Sequence, residues 1–177
     1  MIENIKYIKY SSSFKKDNYA KMAQFNCGDD NINKLFCKKT DRLHSTTYIF
    51  SDSSTGKIIS FVSFCTGAIQ MHTKNGLLAL PAVELKLFGV DKEYQQKYIS
   101  SENTRLKYSE FTFLWLINYI QKVIKPVVNV EYLILHSVPS EKTLKFYEKM
   151  GMKYFTENEN IHNSDFSKGC IPMYMNL

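Results

Sequence analysis

The strongest constraint on this chain lies between Leu106 and Ile124, a stretch with helical periodicity that is apolar on nearly every side. Phe111, Leu114, Trp115, Asn118 and Val123 recur at helix spacing, and Pro126 stops the run. A helix of this kind must be buried on more than one face. Val130 to His136 follows as a fully buried strand, with the Pro139-Ser140 start of another helix beyond it. A helix and a strand that both demand cover imply a layered α/β domain. With 177 residues the chain can build one well-buried domain and is short for two, so residues 1–177 are expected to form a single domain.

The remaining elements fit that frame. Residues 2–10 alternate, with Ile5, Tyr7 and Ile8 facing inward, and read as a first strand. Asp29-Asp30, then Ile32, Leu35 and Phe36, then Lys38-Lys39 predict a helix whose charges suit its dipole. Thr46 to Phe50 and Lys57 to Cys65 predict two antiparallel strands, joined by the turn-forming run Asp52-Ser53-Ser54-Thr55-Gly56. Pro81 introduces a central strand, Ala82 to Val90, and Ile171 to Asn176 reads as the last strand. Thr156 to Ser167, which contain His162, read as a long polar loop. The order β-α-β-β-β-α-β-α-β predicts a mixed sheet flanked by helices.

Composition excludes several classes. Apolar residues make up 44% of the chain, which favours a globular fold over disorder. The longest apolar runs, such as Phe111 to Ile117, end well before the ~20 residues of a membrane span. The N-terminal Met1-Ile2-Glu3-Asn4-Ile5-Lys6 lacks the apolar core of a signal peptide, so a cytoplasmic location and no membrane partner are expected. Cys27, Cys37, Cys65 and Cys170 are widely spaced, as are His44, His72, His136 and His162. That spacing predicts reduced, mostly buried thiols and no metal site. The net charge of +6 comes almost wholly from lysine, with arginine only at Arg42 and Arg105. Excess positive charge suits polyanions and phosphate groups, but an excess this modest reads first as a lysine-rich solvated surface, and lysine in place of arginine argues against heavy bidentate phosphate reading.

Chemistry concentrates near the C-terminus. Leu144-Lys145-Phe146-Tyr147-Glu148-Lys149-Met150-Gly151-Met152 is a short amphipathic helix closed by a glycine able to turn left-handed, and Met152 to Phe155 then reads as a strand. The run resembles the "FYEKLGF" signature of the GCN5-related N-acetyltransferases, the GNAT family. The resemblance implies that Tyr147 protonates the departing coenzyme A thiolate. Phe25-Asn26-Cys27-Gly28, followed by Ile32 and Leu35-Phe36, resembles a pattern of the branch that includes toxins acetylating aminoacyl-tRNA. Leu85-Lys86-Leu87-Phe88-Gly89-Val90-Asp91-Lys92-Glu93-Tyr94-Gln95 looks like the family's strand that splays from its neighbour. By that resemblance Phe88, Gly89 and Val90 lend main-chain groups to acyl-coenzyme A. Lys168 to Met175 resembles the "PMYLxL" last strand of the same branch.

One departure stands out. The family continues with glycines whose amides cradle a pyrophosphate at a helix N-terminus. This chain instead reads Gln95-Gln96-Lys97-Tyr98-Ile99-Ser100, then an insertion through Ser101-Glu102-Asn103-Thr104, before Lys107-Tyr108-Ser109 opens the long helix. Either the loop is rebuilt, with Gln95, Gln96, Lys97, Lys107, Tyr108 and Ser109 around the phosphates, or coenzyme A binding has decayed. Glu84 lies six residues before Val90, where some relatives carry a general base. Its alternatives are a solvent-facing glutamate beside Lys86, or an ordered water in the role.

The resemblance thus implies a mostly antiparallel, GNAT-type α/β sheet and an N-acetyltransferase using acetyl-CoA as co-substrate. Tyr147 and Glu84 would be catalytic and the amine would attack directly, because no cysteine or serine sits in an activated constellation. The acceptor class stays open among a small molecule, a protein and aminoacyl-tRNA. A homodimer is an open alternative, since relatives often dimerise. The competing reading is a catalytically degenerate GNAT-like binding or regulatory module.

Overall fold

The computed structural model describes residues 5–39, 44–74, 76–101, 104–155, 159–161 and 169–177. The chain forms two compact units, each made of two stretches: Met1–Phe64 with Lys86–Leu116, and Cys65–Leu85 with Ile117–Leu177.

In the first unit, β1 (Ile5–Lys9) lies antiparallel to β2 (Thr46–Asp52), and β2 to β3 (Ile58–Thr73). β4 (Gly76–Val90) follows β3 in the sheet, and both of these long strands continue into the second unit. The predicted turn between β2 and β3 forms around Asp52. Its Oδ1 accepts from the Ser54 and Thr55 amides at 2.8 and 3.1 Å. Helix α1 (Ser12–Gln24) starts where the Ser11 hydroxyl oxygen accepts from the Phe14 amide at 3.1 Å. Helix α2 (Asp30–Lys34) is capped by Asp29, which accepts from the Asn31 and Ile32 amides, and it widens into a π-type turn over Leu35–Lys39.

Aromatic rings fill this unit's core. Phe36 stacks on Phe61 at 4.1 Å, and Phe25 meets both rings edge-on at 5.0 and 5.4 Å. Met22, Ile49, Ile58 and Leu87 complete the cluster. Gly89 exists to let Phe61 in: a Cβ there would lie 2.7 Å from the Phe61 ring and 3.3 Å from Phe25. Trp115 packs against Tyr7, Tyr48 and Phe50 at 5.0, 4.9 and 5.0 Å. Buried hydroxyls satisfy one another, Thr47 with Ser63 and Ser60 with Thr112.

After β4 a short hairpin intervenes, β5 (Tyr98–Ser101) with β6 (Thr104–Lys107), and helix α3 (Tyr108–Tyr119) starts directly from it. The helical periodicity predicted from Leu106 therefore begins two residues late, because Leu106 and Lys107 belong to a strand. Phe113, Leu116 and Ile120 are buried, whereas Leu114 and Val123 are exposed, so the apolar helix is not covered all round. A π-type segment, Ile120–Ile124, ends it before Pro126.

In the second unit β4 runs parallel to β7 (Tyr132–Ser137), with register from Ala82↔Tyr132 to Leu85↔Leu135. β7 pairs antiparallel with β10 (Ile171–Asn176), and β10 with β8 (Lys153–Tyr154). β9 (Glu159–Ile161) adds to β3 at Ile69–Met71. Leu133, Ile134 and Leu135 are all buried, as a strand covered on both faces requires. Helix α4 (Glu141–Lys149) ends in a Schellman motif. The Met152 amide donates to the Tyr147 carbonyl at 3.0 Å and the Gly151 amide to Glu148 at 2.9 Å, with Gly151 at φ +90°. His162 and most of the predicted polar loop lie outside the described residues.

Three expectations need correction. β1 is an edge strand whose Tyr7 and Ile8 are largely exposed, since it has β2 on one side only. Helix α1 was not predicted, because Met22 is its single buried residue and no apolar stripe marks it. Of the cysteines, which are all free, Cys37 alone is buried and the other three are half-buried.

Two glycines should respond to alanine for different reasons. Gly89→Ala forces a methyl into the Phe61 ring and should cost about 2 kcal/mol by overpacking. Gly151→Ala meets no atom within 4 Å, so only the left-handed backbone opposes it, at about 1 kcal/mol. Urea unfolding of both variants measures the difference.

Candidate active site

The segment leaving β4 is pinned by polar contacts. The buried Asp91 carboxylate accepts from the Asn26 amide at 3.0 Å and from the Glu93 amide at 3.0 Å. The Lys92 amide donates to the Asn26 carbonyl at 2.8 Å. Gln95 reaches back with Nε2 to the carbonyls of Cys27 at 2.7 Å and Val90 at 3.0 Å. Its amide nitrogen is therefore committed to the scaffold. Phe88 and Val90 pack with Ile59, Tyr94 and Tyr108, while Gly89 faces the aromatic core. Tyr108 meets Tyr94 edge-on at 5.1 Å, and burial pushes both phenols up.

Where the family pattern places glycines, this chain places cations. Lys97 Nζ sits 5.2 Å above the Tyr94 ring, and Lys107 Nζ 5.7 Å from the Tyr98 ring. Lys107 Nζ also approaches Gln96 Oε1 at 3.5 Å, which places Gln96 beside it. At the start of α3 the buried Glu110 carboxylate accepts from the Lys107 backbone amide at 3.0 Å, so one N-terminal donor is already satisfied. Ser109 is half-buried on the first turn. The predicted cofactor residues thus divide: Gln95 and Gly89 are scaffold, whereas Gln96, Lys97 and Lys107 cluster around the hairpin base.

In the second unit, Glu84 is not the solvent-facing glutamate that was one alternative. Its side chain is 15% exposed, and Oε1 lies 3.6 Å from His136 Nδ1, the histidine side chain being 9% exposed. Gly67 gives this pair room, since a Cβ there would be 3.1 Å from Glu84 Cβ. His136 Nε2 is buried and has no hydrogen-bond partner among the described residues. In the sequence His136 is one of four scattered histidines, with nothing local to mark it. Glu84 pairs with Ile134 in the β4–β7 ladder, so His136, two positions on, shares its face. The missing signal was the adjacency of the two strands.

Tyr147 lies on the inner face of α4, 6% exposed, with its ring 5.2 Å from Phe146. Its carbonyl closes the Schellman motif, so backbone and side chain are both held. Burial raises its phenol well above the ordinary value, and it stays protonated at neutral pH. Cys27 is no nucleophile: burial pushes its thiol up, and its Sγ lies 3.2 Å from Asn33 Oδ1.

A pH prediction follows from Tyr147. Its folded-state pKa exceeds the ~10 of an unfolded chain, so its contribution to stability is complete below about pH 10 and is lost as pH rises through the folded value. Tyr147→Phe lacks that group. Urea unfolding midpoints of the two proteins should run parallel from about pH 7 to about pH 9, and the wild type should fall faster above about pH 10.

No protein-family model and no curated protein sequence matches the chain. Solved structures do. A tyrosine-to-phenylalanine variant of the AtaT toxin, bound to the C-terminus of the antitoxin AtaR and acetyl-CoA, superposes with a TM-score of 0.68 at 14% identity, covering 98% of this chain and 93% of that one. A tyrosine-to-phenylalanine variant of KacT gives 0.66 at 13% identity over 98% and 95%. AtaT complexed with acetyl-methionyl-tRNAfMet gives 0.66 at 12% identity over 98% and 95%. Over 98% of its length the chain is therefore built on the GNAT-type mixed α/β fold that it shares with the AtaT toxin and KacT.

Proposed function

We propose that the protein is an N-acetyltransferase that moves the acetyl group of acetyl-CoA to an amine by direct attack. The observation that carries this reading is Tyr147, a buried phenol kept protonated and fixed by a glycine-closed helix end, on a fold shared over 98% of the chain with a toxin solved with acetyl-CoA. The amine nitrogen attacks the thioester carbonyl, the carbonyl oxygen takes up negative charge, and the C–S bond breaks as the tetrahedral intermediate collapses. Main-chain groups of Phe88, Gly89 and Val90 hold the acyl arm. Tyr147 directs its O–H at the sulfur as charge develops there. As a neutral phenol it donates a hydrogen bond to the developing thiolate, and because burial raises its pKa it gives up that proton less readily than an ordinary tyrosine. Glu84, backed by His136, or water takes the proton released by the ammonium.

The phosphates would be held by Lys97 and Lys107 with Gln96 and Ser109, side chains replacing the missing amide cradle. For the acceptor, the AtaT complex with acetyl-methionyl-tRNAfMet and the net charge of +6 favour aminoacyl-tRNA over a small molecule or another protein. One observation favours a different reading, a GNAT-like module without activity. Glu110 takes a helix N-terminal amide where a phosphate would otherwise bind.

Calorimetric titration with acetyl-CoA decides between them. Saturable binding, weakened about tenfold or more by Lys97→Ala/Lys107→Ala, is expected. No binding at millimolar cofactor would sink the enzyme reading. With an acceptor in hand, Tyr147→Phe should lower kcat about a hundredfold and leave the affinity for acetyl-CoA unchanged.

A further inference from the structure

In Tyr98 and Arg105 the β5–β6 hairpin carries chemistry that the proposed mechanism does not use. Its register sets Tyr98 opposite Lys107, and Ser100 opposite Arg105. Alternation then puts Tyr98, Arg105 and Lys107 on one face, and Ile99 and Leu106 on the other. Ile99 is buried and Leu106 half-buried, whereas Tyr98 is 39% exposed and Arg105 exposed. The first face therefore looks outward.

Arg105 is organised on that face. Its guanidinium carbon lies 4.4 Å from the Tyr98 ring centroid. A cation–π contact of this kind uses the charge of the guanidinium and does not consume its N–H donors, which remain available to an anion. Among the described residues no carboxylate, hydroxyl or carbonyl engages those donors. Neither Lys97 nor Lys107 meets a carboxylate through its ammonium there either. Other lysines behave differently: Lys57 pairs with Glu93 and Lys145 with Glu141, each at 2.6 Å. Among the described residues Arg105 and Lys107 thus face no carboxylate, whereas Lys97 feels the charge of Glu93, and Arg105 is one of just two arginines in the chain.

We infer that this outward hairpin face binds the 3′-phosphate of the adenosine in coenzyme A, with Arg105 as its principal ligand. The inference rests on the acetyl-CoA reading and adds a subsite to it. A phosphomonoester carries close to two negative charges and three acceptor oxygens at neutral pH. A planar fork held in place on an aromatic ring matches it bidentately at little entropic cost. Lys107 adjoins the helix, and Arg105 stands two residues farther out, roughly 6–7 Å along the strand. In the cofactor a ribose separates the diphosphate from the 3′-phosphate, so two cation positions in line suit its two anionic groups.

The test compares coenzyme A with 3′-dephospho-coenzyme A by calorimetry on wild type, Arg105→Ala and Arg105→Lys. Wild type should prefer coenzyme A by about tenfold. Arg105→Ala should lose that preference while binding the dephospho form as wild type does. Arg105→Lys, which keeps the charge without the fork, should fall between. Equal wild-type affinity for the two ligands, or an equal loss for both in Arg105→Ala, would overturn the subsite and leave the acetyltransferase reading standing. Wild type that binds neither ligand would overturn both. Because Arg105 is exposed, its variants are expected to fold, and the wild-type ratio is informative without them.

Discussion

The segment that leaves β4 takes its position from one buried carboxylate. Asp91 stands where the chain leaves the sheet, and its two oxygens take the amides of Asn26 and Glu93. Gln95 doubles the tie by bridging the carbonyls of Cys27 and Val90. A buried carboxylate is tolerated only when its lone pairs are filled, and here backbone donors fill them. The result joins the loop before α2 to the end of β4. It also fixes the direction in which the hairpin and α3 depart. The Phe25-Asn26-Cys27-Gly28 run and the Val90-to-Gln95 run, which look like separate motifs in the sequence, are two halves of one joint.

Much of the fold was legible because its signals are local. The buried strand at Val130–His136, the turn at Asp52–Gly56 and the left-handed Gly151 each follow from short-range pattern or backbone sterics. What was not legible depends on partners distant in sequence. Helix α1 is held by a cap and by contacts around Met22, not by an apolar stripe. The exposure of Tyr7 and Ile8 depends on β1 being an edge. The same divide runs through the site. Tyr147 is announced by its helix, whereas Gln95 as a strut and His136 beside Glu84 emerge only when strands and loops are paired. The hairpin read as an insertion because Tyr98–Lys107 mixes strand formers with charge, and no glycine turn marks it.

Side-chain cations and backbone amides hold phosphate by different physics. An amide cradle is fixed, partly charged and insensitive to salt beyond its surroundings. Lysines and arginine on a hairpin carry full charges on flexible stems, so their attraction reaches farther and is screened as ionic strength rises. Tyr94 and Tyr98 offset part of the flexibility by seating Lys97, Arg105 and Lys107 against their rings. Glu110 satisfies the Lys107 amide internally, which leaves that donor unavailable to a ligand.

Neither compact unit is a continuous piece of chain, and this has a consequence for synthesis. The first unit needs Lys86–Leu116 to finish a sheet begun before Phe64, and the second needs β10 at the end of the chain to cover β7. A ribosome releases these pieces in order. β4 follows β3 within a few residues, whereas β7, paired with β4 on one side, keeps its other edge open until β10 emerges. Long-range pairing of this kind slows folding and leaves strand edges open to other chains meanwhile. The open edge of β7 is therefore the surface through which a partly made chain would pair wrongly.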